Sequence, residues 1–252
     1  MRKLGVLLLF GCLSTITFAK DHASNKQDVV ITKLLNQQIS QQISLEKSVS
    51  AILRRYPEKV ESVINVALSM YPDEYRQIML GAIHAEPAIS CEVIDIFLKS
   101  EVADTNEIIE LAIELEPAYA IEIVDVAARY HEDSIEDIVK VAIKTEPFVT
   151  EPLVNDTMQS YPEQMLEILT SAISAIPEQM ITIVKNTLDL FPLESDKVIT
   201  TAVQSSPSRH AQSIVDAAVE SGMTQEAAIA AAISGGADEK LFAKKDETDS
   251  DN

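Results

Sequence analysis

The chain has 252 residues, 40 acids against 20 bases, a net charge of −20 and no tryptophan. That length allows one or two ordinary domains. The acidic excess argues against duplex DNA, RNA and anionic lipid as partners, because phosphate would be repelled, and leaves solubility, divalent cations or cationic proteins as its meaning.

Residues 1–19, MRKLGVLLLFGCLSTITFA, read as an export signal. Arg2 and Lys3 precede an apolar run, and Thr17-Phe18-Ala19 is a small-x-small cleavage site. The run is too short and too rich in Ser and Thr for a membrane span. Removing it leaves 18 bases and 40 acids and predicts a periplasmic or secreted protein, with a lipid anchor through Cys12 as the alternative. The remaining cysteine, Cys91, cannot close an intramolecular disulfide. It reads as a small buried apolar residue, so the fold rests on its core. Residues 20–26 are expected to be unstructured, and 27–41 to form a polar capping helix within an N-terminal segment 20–42.

From there a clock runs. Nine of the ten prolines, from Pro57 to Pro207, fall on a ladder of step fifteen; only the rungs at Val102 and Glu132 lack proline, and the next rung is Gly222. Apolar pairs recur six and seven residues past each rung, as at Ile108-Ile109 and Ile138-Val139. Others recur ten and eleven past, as at Ala112-Ile113 and Ala142-Ile143. Offsets 3, 6, 7, 10, 11 and 14 lie on one face of an α-helix. Proline suits the first position of a helix, acids such as Glu58 and Asp73 suit the turn after it, and interior prolines would break a continuous helix. Each rung is therefore predicted to start a new helix of about twelve residues, about 18 Å long.

A thirty-residue clock lies over the first. Glu86, Glu116 and Glu146 precede odd rungs, Tyr71, Tyr161 and Phe191 precede even ones, and Ala-Ile is kept in even helices from Ala82-Ile83 to Ala172-Ile173. The repeat is a helical hairpin with a small residue where even helices meet. A lone hairpin buries too little to offset its ordering entropy, so hairpins must stack. The expected fold is all-α: a right-handed α-solenoid of stacked hairpins over residues 43–236. Its architecture resembles the HEAT, armadillo and tetratricopeptide class, although the tetratricopeptide Trp, Gly and Tyr positions are missing. Pro152 stands off the ladder and predicts either a late helix start or a bend. Residues 237–252 are charged and expected to be a disordered acidic tail.

No catalytic, cofactor or metal motif is present. His22, His84, His131 and His210 form no metal-spaced pair, and there is no G-x-S-x-G or glycine-rich phosphate loop. His131 and Asp133 in YHED read as a solvated turn, and the sequon at Asn155–Thr157 carries meaning only in a eukaryotic secretory pathway. One polar series stands out. Asn65, Asp95, Asp125 and Asn155 lie eight past successive odd rungs, on the outward side, with Lys99 and Arg129 four residues after the two acids. Such a row could bind an extended or basic peptide, as an asparagine ladder does in armadillo proteins; ordinary wet-face polarity is the plainer explanation. The functional expectation is an exported, non-enzymatic protein-binding scaffold. A self-associating matrix or surface component is the alternative, and a glycan-cleaving helical enzyme comes third.

Overall fold

A computed structural model describes residues 17–242, with side chains from residue 26 onward. The described residues form helices and turns with no strand, and they divide into two compact units at Glu86/Pro87.

The first unit holds α1 (Thr17–Ser40), α2 (Leu45–Arg55), α3 (Val60–Met70) and α4 (Tyr75–Ala85). α1 packs on α3 and α2 on α4, so alternate helices stack in two layers. α1 is longer than the capping helix expected at 27–41, taking in residues 20–26, and it buries Ile31 and Leu35. Residues 1–16 of the expected export signal lie outside the described residues. α4 meets α2 at Gly81, where an added Cβ would run into the carbonyl oxygen of Glu46, closer than real side chains come.

The second unit continues the pattern through α5 (Ser90–Ser100), α6 (Thr105–Leu115), α7 (Ala120–Tyr130), α8 (Ile135–Thr145) and α9 (Thr150–Ser160). It ends with α10 (Met165–Ala175), α11 (Met180–Leu190), α12 (Ser195–Gln204), α13 (Ala211–Glu220) and α14 (Gln225–Ser234). Odd helices stack on odd and even on even, with each hairpin joining the layers. This is the helical-repeat solenoid that the two clocks imply. The core is the expected stripe: Ile108, Ile109, Ala112 and Ile113 in α6 and Ile138, Val139, Ala142 and Ile143 in α8 are each at most 1% exposed.

The corners are built differently from a single helix starting at proline. At Pro72 the chain makes a 3-10 turn, Pro72–Glu74, and only then the α-helix. Tyr71, at φ −140° and ψ 61°, sets the corner. The Tyr71 N–H closes α3 by donating to Ala67 O, and the Glu74 N–H donates back to Tyr71 O at 3.1 Å. Glu74 then sits in the bridge region, at φ −100° and ψ 21°, and steps the backbone into the α-helix. Proline fits because its position needs no donor.

The two rungs without proline diverge. Glu132–Ser134 is the same 3-10 turn, entered through His131 at φ −138° and ψ 55°. At Val102 the chain instead turns through Glu101 in the left-handed region, φ 51°, and Asp104 caps α6 by accepting from Asn106 N at 2.8 Å. Gln42 (φ 63°) with Ser44, and Gly222 (φ 102°) with Thr224, make the same alternative corner.

Three further expectations need correction. Pro152 does not delay its helix: α9 begins on the clock at Thr150, and Pro152 lies in its first turn, where backbone N–H groups lack helical acceptors anyway. At the last proline rung the chain runs one residue late, with Pro207 before the 3-10 turn Ser208–His210 instead of inside it. The tail expected from 237 is ordered to 242: Asp238 caps a 3-10 turn, Glu239–Leu241, and Ala237 and Phe242 are buried. Residues 243–252 lie outside the described residues.

Two sets of substitutions test this architecture by thermal or denaturant unfolding. Glu132→Pro meets a corner already shaped for proline and should stabilise by about 0.4–1 kcal/mol, less the loss of its hydrogen bond to Gln164. Val102→Pro follows a left-handed residue and should destabilise. Gly81→Ala forces α2 and α4 apart and should cost about 1–3 kcal/mol, whereas Ile138→Asp places an unpaired charge in a dry core and should cost more.

Candidate interaction surface

The outward series on the odd helices is a stacking device at its two acids. Asp95 on α5 accepts hydrogen bonds from Lys99 Nζ at 2.6 Å and from the Tyr130 hydroxyl at the end of α7. One repeat on, Asp125 on α7 faces Arg129 Nε at 3.6 Å and accepts from the Tyr161 hydroxyl beyond α9 at 3.3 Å. Each carboxylate thus takes a cation from its own helix at i+4 and a phenol from the next odd helix, 35 or 36 residues later. The same lattice position carries Lys185 on α11, which pairs with Glu220 on α13. Lys99 also lies 5.7 Å from the centre of the Tyr130 ring.

Asn155 occupies the matching place on α9, half-exposed, and records no side-chain hydrogen bond; thirty-five residues later stands Leu190, which has no polar group to offer. Asn65 is exposed in the first unit. So the second unit aligns Asp95, Asp125 and Asn155 on successive odd helices, yet the two acids already have partners. The tyrosines are what sequence reasoning missed. The signal was present, as Asp, then Lys or Arg four later, then Tyr 35 or 36 later, but a spacing that links different repeats carries no local pattern.

The electrostatics follow the geometry. Partial burial alone would raise the Asp95 carboxyl, but hydrogen bonds from Lys99 and Tyr130 hold it below its ordinary value. Burial and the charge of Asp125 push the Tyr161 phenol up. Burial, then the field of Glu122, raises the half-buried Cys91 thiol, so it stays a neutral thiol at pH 7.

A second surface emerges where the sequence drew no line. Hairpin alternation puts every corner that opens an even helix of the second unit on one edge. There Gln164 Nε2 reaches the Glu132 carboxylate of the previous corner at 2.8 Å. Exposed Asp104, Glu107, Asp133, Glu136, Asp137 and Glu163 line that edge. Between the corners at Pro162 and Pro192 lies a groove of about 310 Å³, walled by Met165, Leu166 and Phe191 and flanked by Glu163, Glu194 and Lys197. Glu194 is paired with Lys197 at 2.7 Å. The charge is segregated along the chain: residues 20–86 carry eight acids and eight bases, whereas residues 87–252 carry 32 acids and ten bases.

Among the described residues, no group of three or more His, Cys, Asp or Glu side chains could hold a metal ion, and no helix is long and apolar enough to cross a membrane. His131 and Asp133 are both exposed on their turn. The fold defines an all-α helical-repeat protein. Comparison with protein-family models, with curated proteins and with solved structures finds no match for this chain.

The Asp–Tyr contacts can be weighed by substitution. Tyr130→Phe should cost about 0.5–1 kcal/mol, and a double-mutant cycle with Asp95→Asn should give a coupling of that size. Because the folded-state value of Asp95 is depressed, its contribution is full above about pH 4 and fades as pH falls through the folded value. Asp95→Asn should flatten that part of the acid-unfolding profile. Replacing Asn65 and Asn155 by Ala should leave stability within about 0.5 kcal/mol, while Asp95→Ala and Asp125→Ala should lower it measurably.

Proposed function

We propose that this protein is an exported, non-enzymatic scaffold whose second unit holds a cationic protein partner along the edge of its even-helix corners. The observation that carries the reading is the segregation of charge, with the whole acidic excess of the mature chain in residues 87–252 and exposed carboxylates at successive corners along this edge. Such an edge attracts a basic partner over about 8–10 Å at physiological salt and speeds its capture. The groove at Phe191 adds what a lysine or arginine side chain needs. Met165, Leu166 and the Phe191 ring can cover an alkyl stem or guanidinium plane, and Glu163 can take the charged head.

This reading shifts the binding surface away from the series Asn65, Asp95, Asp125 and Asn155, whose acids are engaged in stacking. An extended basic segment laid across the edge would meet a corner once per hairpin. Export rests on the N-terminal signal of residues 1–19.

Affinity capture from envelope and culture fractions tests the proposal, with the full chain compared against Glu132→Gln/Asp133→Asn/Glu136→Gln/Asp137→Asn. A basic protein should be retained at about 50 mM salt, released by about 300 mM, and lost from the variant, whose melting should stay unchanged. Recovery of mainly further copies of this chain would put the self-associating component in place of the scaffold. Equal retention by both forms would remove the acidic edge from the mechanism.

A further inference from the structure

The first unit contains an apolar cleft that its own packing leaves unfilled. It opens between α1, α2 and α3 and measures about 290 Å³. Val30, Ile31 and Leu34 of α1 form one wall, and Ile52, Tyr56 and Val63 the other. Val30 is 56% exposed and Tyr56 40%, so the mouth is open and greasy. Among the described residues, Gln27 and Lys59 are, beside the Tyr56 phenol, the polar side chains that line it. Gln27 is occupied, donating to Ser62 Oγ at 2.8 Å. Lys59 is half-exposed and, among the described residues, has no ion-pair partner; its neighbours Glu58 and Glu61 do not line the cleft. Lys59 also immediately precedes α3, at the positive end of that helix. Arg55 stacks over the Tyr56 ring at 5.8 Å, adding a second cation beside the mouth.

This combination selects a ligand chemistry. The volume lies at the small end of ligand pockets, enough for one hydrocarbon chain. A peptide would bring backbone N–H and C=O groups that these walls cannot satisfy. A neutral hydrocarbon would leave Lys59 without a role. We propose that the cleft binds a linear monocarboxylate, with its chain along Val30, Leu34, Ile52 and Val63 and its carboxylate on Lys59. The site is separate from the acidic edge of the second unit and does not depend on the scaffold reading.

Calorimetric titration of the full chain with hexanoate, octanoate and decanoate, all below their micelle concentrations, tests the assignment, with octanol as the neutral counterpart. Each added methylene should tighten binding about fourfold until the cleft is full. Lys59→Gln should weaken octanoate about tenfold and leave octanol unchanged. Val30→Asp, at an exposed helical position, should abolish both while circular dichroism shows unaltered helicity. No binding of octanoate, even if phospholipid vesicles bind, overturns the proposal. So does octanoate binding that ignores Lys59→Gln, or that survives Val30→Asp unchanged.

Discussion

The repeat array depends on one requirement: a helix of ten or eleven residues must bury an apolar stripe against its neighbours. Helices this short are marginal alone. In α6 and α8 the stripe falls at the same four places in the period, and all eight side chains are out of water. In α8 the stripe faces three ways at once, toward its hairpin partner α7 and toward α6 and α10 of the same layer. That explains why small residues recur on the even helices. Ala112 and Ala142 let neighbours approach, and Gly81 brings α4 against the backbone of α2.

The corners serve that burial by keeping helix length and spacing constant. Two local chemistries reach the same step. Proline with a bridge-region residue makes a rigid 3-10 corner, whereas a left-handed residue followed by Ser44, Asp104 or Thr224 makes a capped one. Glu132 shows that the first corner does not require proline, since the bonds from Ser134 N to His131 O and from His131 N to Ala127 O close it unaided. Proline at the other rungs narrows the unfolded ensemble more than it shapes the folded one.

Polar side chains on the outer odd helices are then drawn into the stacking. Asp95 and Asp125 tie α5 to α7 and α7 to the end of α9 through Tyr130 and Tyr161, and Lys185 with Glu220 ties α11 to α13 with other chemistry. These exposed contacts contribute little apiece, but their regular placement favours one register between neighbouring helices. Exposed carboxylates also stand at the corners that open even helices, among them Asp104, Asp133 and Glu163, on an edge away from these ties.

The period, the all-α class and the buried stripe were legible in the sequence, because proline placement and 3.6-residue periodicity are local properties of the backbone and of one helix face. The choice of corner at Val102 against Glu132 was half-legible: Asp104 is a recognisable cap, but nothing local announces that Glu101 turns left-handed. Only the tertiary structure decided that Tyr130 and Tyr161 satisfy Asp95 and Asp125, that Pro152 falls in the first turn of α9, that Phe242 packs beyond the last helix, and that α1 leaves an apolar cleft beside Lys59. Each of these depends on distances between residues some thirty or more positions apart, or on where a helix starts to within one residue. The pattern of one chain segment does not encode the space left between it and another.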